Sequence, residues 1–121
     1  VETQPILHIV RLREWCQAAG SGAYAPASLA REGFIHCSFA SQVTAVADAN
    51  FPGVKGLALL VIDPQRLGAE VRLEGPGVHK FPHIYGALRP EAVVAVLPFE
   101  PGPDGRFELP VMLRRCLEAL P

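Results

Sequence analysis

The stretch LALLVID, residues 57–63, runs six apolar residues in succession with no polar alternation, then stops at Asp63-Pro64. A strand with one wet face alternates, so an unbroken run of this length reads as a central strand buried on both faces. The other segments are placed around it. ILHIVR, residues 6–11, is a short strand with β-branched residues on each side of His8. AVVAVLPF, residues 92–99, is a second strongly apolar strand, whereas AEVRLE, residues 69–74, alternates and reads as half-exposed. GFIHCS, residues 33–38, and HIYGAL, residues 83–88, are two further extended segments.

Between them lie helical patterns. Leu12, Trp15, Cys16 and Ala19 share a helical spacing that Gly20 ends. Ser38 or Ser41 caps a helix carrying Val43, Val46, Ala47 and Phe51, which closes at Pro52-Gly53. Pro110 opens a last helix, about 110–120, with Leu113, Cys116, Leu117 and Leu120 on one stripe. SGAYAPAS, residues 21–28, and residues 75–82 read as loops, and EPGPDGR as a turn. About six strands and about three helices without strict alternation predict an α+β single domain over 1–121 with a mixed or antiparallel sheet.

Composition narrows the function classes. The 121 residues suit one domain, and 50% hydrophobic content supports a packed core. Eleven basic against twelve acidic side chains leave a net charge of -1. That balance lacks the clustered basic face that duplex nucleic acid requires, though it leaves room for a single nucleotide or an RNA end. Three cysteines, far apart and without a C-x-x-C pair, argue against a disulfide framework; Cys16 and Cys116 read as small buried hydrophobes. No apolar window spans a bilayer and no signal stretch opens the chain, so the expected location is the cytoplasm.

Three of the four histidines, His8, His36 and His83, interrupt apolar strand-like segments. A buried imidazole needs a hydrogen bond or a ligand, and three on separate strands suggest one shared cleft. His8 is either a core residue bonded to a main-chain carbonyl or a donor to a ligand. Alternation sets His36 and Ser38 on one face and Cys37 on the other, which disfavours a Cys37–His36 nucleophile pair. Ser38 serves a helix cap, a ligand, or both. His83 and Tyr85 share a face of FPHIYG; Tyr85 is an aromatic plug or a stacking platform for a planar ring. Glu74, Asp63 and Glu32 are the notable carboxylates, with Asp63 read first as a turn-former. Arg11, Arg31 and Lys80 are available for phosphate but equally fit a solvated surface. A metal is not expected: Pro82 forbids a helix joining His79 to His83, and a three-histidine set from His8, His36 and His83 is the weaker reading.

The order LHIV…EW…GFIHCS…LLVID…VRLE…FPHIYGAL resembles a bacterial family of domains of unknown function, the one numbered nine hundred and fifty-two, over about residues 6–99. The resemblance implies an ADP-ribosyltransferase-like fold, a split and bent pair of small sheets that holds NAD as substrate in the cleft. It implies that His8 contacts a ribose hydroxyl. It also implies that His36 and Ser38 border the nicotinamide ribose, a motif similar to that of RNA 2'-phosphotransferases. FPHIYG would then occupy the place where many transferases carry a catalytic glutamate. Here His83 and Tyr85 stand in it, with Glu74 the nearest acid before them. The expected function is therefore binding of NAD or a related nucleotide. His36, His83 and Glu74 are the candidate catalytic groups for a transferase, and His8, Arg11, Ser38 and Tyr85 the candidate ligand contacts. The alternatives are a non-catalytic metabolite-binding module and a domain that works through protein contacts.

Overall fold

The computed structural model describes residues 4–118. Strand β1 (Ile6–Arg11) runs directly into helix α1 (Leu12–Ala19), and a short helix α2 (Ala27–Glu32) precedes strand β2 (Ile35–His36). Helix α3 (Val43–Asn50) leads to β3 (Leu57–Ile62), followed by β4 (Glu70–Glu74), β5 (Phe81–Tyr85), β6 (Val93–Phe99) and helix α4 (Val111–Glu118). Single 3₁₀ turns at Pro64–Arg66 and Pro90–Ala92 connect β3 to β4 and β5 to β6.

The strands form two three-stranded sheets, ordered β1-β3-β6 and β2-β5-β4, and every pairing among the described residues is antiparallel. LALLVID is the centre of the first sheet, and all six residues of β3 are buried. One face of this sheet (Ile6, Val10, Ala58, Leu60, Ile62) packs on Ile35 and Ile84 of the second sheet, with Trp15, Tyr24 and Leu88 completing the cluster. The opposite face (Leu7, Leu57, Leu59, Val61) packs on Val43 and Ala47 of α3 and on Phe99, Phe107 and Leu113. The sheets meet at one main-chain bridge: Leu7 and Ser38 each donate N–H to the other's carbonyl, both at 2.8 Å. No other ladder pairing between the two sheets is seen among the described residues.

Several sequence expectations change here. Residues 21–28 are not all loop: Pro26 sits in extended backbone as the N-cap of α2, and Gly33, at φ 88°, ends that helix in the left-handed region. GFIHCS is regular strand only at Ile35–His36, because Gly33 turns at its start and Ser38 pairs with β1 instead. Neither Ser38 nor Ser41 caps α3. Gln42 precedes that helix; its Oε1 accepts from Phe39 N–H at 3.0 Å and its Nε2 donates to Lys80 O at 2.8 Å. The strand of FPHIYG begins at Phe81 and holds Pro82 inside it, where Pro82 O accepts from Cys37 N–H at 3.1 Å. On α1, Trp15 is buried but Leu12 and Cys16 are exposed, so the apolar stripe covers less than its spacing suggested. The side chains of Cys116, Leu117 and Leu120 lie outside the described residues. No helix among the described residues is long and apolar enough to cross a membrane.

Candidate functional site

The site follows from a period-two rule in the second sheet. On β5, Pro82 and Ile84 turn into the core while Phe81, His83 and Tyr85 face outward. β4 presents Glu70, Arg72 and Glu74 on that same face, and β2 presents His36 there. Register brings them together: His36 lies opposite His83, and Arg72 opposite His83 from the other side. The two imidazoles are 5.3 Å apart at 70°. Phe34 stacks on His83 at 4.1 Å and 13°.

Each imidazole of this pair is oriented by a carboxylate. His83 Nδ1 donates to Glu74 Oε1 at 2.9 Å, leaving Nε2 without a partner among the described residues. His36 Nε2 donates to Glu32 Oε1 at 3.0 Å, leaving Nδ1 unpartnered likewise. Tyr85 O–H also donates to Glu74 Oε1, at 2.5 Å. The bonds from Tyr85 and His83 hold the Glu74 carboxyl below the usual carboxylate range, and the bond from His36 does the same to Glu32. In return, the Glu74 carboxylate pushes the Tyr85 hydroxyl up.

A groove of about 500 Å³ is lined by β1, by residues 36–38, by α3 and by β5. Of the five residues expected on one face, His8, His36, Ser38 and His83 line it and Tyr85 does not. The lining also includes apolar Leu7, Ile9, Val46, Phe51 and Phe81 and polar Ser28 and Asn50. Ser38 is 4% exposed, and its hydroxyl has no hydrogen-bond partner among the described residues.

His8 takes the core alternative in its bonding. Nδ1 lies 2.7 Å from His36 O, a pure acceptor, so Nδ1 carries the proton and Nε2 accepts from Tyr24 O–H at 2.9 Å. Both nitrogens are thus engaged, and burial lowers the ring's pKa to about 4, so His8 is neutral. Burial likewise pushes the Tyr24 hydroxyl up. His8 fastens β1 to the carbonyl of β2 and to the Tyr24 segment, which makes it a positioning residue for the cleft.

Two expected contacts do not reach the groove. Arg11 ends β1, three residues and roughly 10 Å beyond His8, where it is exposed and lies 3.9 Å from Glu14. Tyr85 is not a free platform: its hydroxyl is bonded to Glu74, and the Arg72 guanidinium covers its ring at 4.1 Å. Lys80 donates to Gly75 O, and neither it nor Arg31 lines the groove. Cys37 is buried in the core cluster and also contributes to the groove's lining; burial pushes its thiol up. Asp63 is the turn-former expected, accepting from Gln65 N–H at 3.0 Å. No three His, Cys, Asp or Glu among the described residues are grouped to hold a metal ion, so the three-histidine set does not form.

Sequence reading missed Tyr24 and Phe34. Tyr24 is one large aromatic in a run of small residues, a signal that composition averages into a loop. Phe34 precedes the strand proper and shows its role only once β2 lies against β5.

Comparisons with known proteins agree with this architecture. A family model described as a protein of unknown function, DUF952, matches residues 9–96. The X-ray structure of protein CC0527 from Caulobacter crescentus is 30% identical, with a TM-score of 0.79 over 88% of this chain and 95% of that one. The solution NMR structure of CC0527 is likewise 30% identical, with a TM-score of 0.76 over 87% of this chain and 92% of that one. No curated protein matches.

Proposed function

The chain belongs to the DUF952 family, and from that premise we propose that its cleft binds a nucleotide, with NAD or ADP-ribose the first candidates. The observation that carries this reading is convergence: His8, His36, Ser38 and His83, from three separate segments, line one groove of about 500 Å³. That size is in the range of small-molecule sites. The groove's composition also suits such a ligand. Apolar Val46, Phe51 and Phe81 share the lining with polar His36, Ser38, Asn50 and His83, a mixture that suits a base joined to a ribose. Two small antiparallel sheets joined at one bridge are the arrangement expected of an ADP-ribosyltransferase-like cleft, and the proposal extends to that fold relationship.

A transferase reading is favoured by Glu74. Glu74 of β4, the nearest acid before FPHIYG, bonds His83 and Tyr85, and we take it as the partner of His83 in such a transferase. With Nδ1 held, His83 Nε2 is free to take or give a proton at a ribose hydroxyl. Glu74 does not line the groove, so in this reading it acts through His83, whose orientation it fixes.

Thermal unfolding with saturating NAD and with ADP-ribose tests the binding reading. At a ligand concentration a hundredfold above Kd the expected gain is about 2.7 kcal/mol. No stabilisation by either ligand overturns it. Release of free nicotinamide from NAD, lost in Glu74→Ala, tests the transferase reading; binding without release leaves a non-catalytic nucleotide module.

A further inference from the structure

The polar side chains that line the groove offer mostly acceptors. His83 keeps its Nδ1 proton on Glu74 and His36 keeps its Nε2 proton on Glu32. In the neutral ring, His83 Nε2 and His36 Nδ1 therefore each carry a lone pair. Asn50 belongs to the same lining; its Nδ2 donates to Val46 O at 3.1 Å, which leaves Oδ1 as an acceptor. None of these three atoms has a partner among the described residues. His8 has both nitrogens engaged, and the hydroxyls of Ser28 and Ser38 can give or accept. No Asp, Glu, Lys or Arg belongs to the lining among the described residues. The charges joined to the two rings are carboxylates, Glu32 and Glu74, both held below the usual carboxylate range and so ionised at neutral pH. Arg72 is turned to Glu70 and the Tyr85 ring instead.

Resting on the nucleotide reading above, we propose that the groove takes the nucleoside end of its ligand, base and ribose, and leaves the phosphates in solvent. A nucleoside brings the complementary chemistry. Its base N–H and ribose O–H groups donate to the lone pairs of His36, His83 and Asn50, and its ring lies against Val46, Phe51 and Phe81. A fully ionised phosphate brings only acceptors and negative charge. Acceptor set against acceptor leaves both unpaired, and desolvating an anion without a counter-charge costs far more than desolvating a hydroxyl. The ionised Glu32 and Glu74 add a repulsion that salt screens. The lining thus selects a ligand partly by what it rejects.

Isothermal titration calorimetry with two matched pairs tests this: adenosine with AMP, and nicotinamide riboside with its 5'-phosphate. Measurements at about pH 8 keep an ordinary imidazole neutral and a phosphate monoester fully ionised. In a pair that binds, the nucleoside is expected to bind about threefold more tightly than its 5'-phosphate at low salt, and the gap to close as salt rises. The double variant Glu32→Gln, Glu74→Gln keeps an acceptor oxygen for each ring and removes both charges, so it should close the gap at low salt. Carboxylates that only orient the rings would weaken both ligands alike, so a gap unchanged in the variant overturns the proposal. A 5'-phosphate that binds as tightly as its nucleoside, or more tightly, also overturns it and leaves the nucleotide reading standing. If neither pair binds, and NAD does not either, the nucleotide reading falls and the proposal with it.

Discussion

His8 and Glu74 show how differently two polar residues are used within one small domain. His8 is neutral because burial lowers its pKa from the ordinary 6.5 to about 4. The unfolded chain therefore binds a proton at His8 below about pH 6.5 while the folded chain does not, and stability rises with pH across that window. The contribution is complete above about pH 6.5 and is lost as pH falls toward 4, amounting to about 3 kcal/mol. His8→Asn should flatten that slope in denaturant titrations run between these pH values. Glu74 is half-exposed and acts through hydrogen bonds. Its carboxylate raises the Tyr85 hydroxyl, so Glu74→Ala should return one of the protein's two tyrosines to an ordinary titration near pH 10. Alkaline absorbance titration measures this, and an unchanged curve would mean that the bond does not hold in solution. The convergence of His8, His36, Ser38 and His83 was legible in the sequence, since each is a polar residue in an apolar setting. The carboxylate partner of His83 was not, because only the β4–β5 register brings Glu74 to it. The failures of Arg11 and Tyr85 have the same origin: a side chain's neighbours across strands decide whether it is free.

At the level of elements, the joints are packed as closely as the strands. Gly86 follows β5, and a Cβ placed on it would lie 2.9 Å from Ala69 Cβ, just before β4. Gly86→Ala should therefore cost about 1–3 kcal/mol, and adding Ala69→Gly should recover part of that loss in equilibrium unfolding. Gln42 ties the entry of α3 to the entry of β5 through Lys80 O. Strong apolar runs revealed β1, β3 and β6 in sequence, and alternation revealed β4. α2 escaped notice because none of its six residues is buried, so it carries no apolar stripe. β2 was overextended because an apolar run does not say whether its neighbours pair with one sheet or two.

The whole molecule is organised about β3. It is paired on both sides and covered on both faces, so its amides exchange only when the domain unfolds globally. Hydrogen exchange should show residues 57–62 as the slowest and the two-residue β2 as markedly faster; equal rates would contradict this hierarchy. The α+β class and the central place of LALLVID could be read in advance. The division into two sheets could not, since it depends on Leu7 and Ser38 pairing 31 positions apart. The alternation along β5 has a consequence for how such a protein can diverge. Core and site are written on the same five residues in opposite phase, Pro82 and Ile84 inward, Phe81, His83 and Tyr85 outward. A single-residue insertion within them would bury His83's place and expose Ile84's, erasing interior and cleft together. Lineages can therefore lengthen or shorten the turn at residues 75–80, whereas the spacing within FPHIY must be inherited whole.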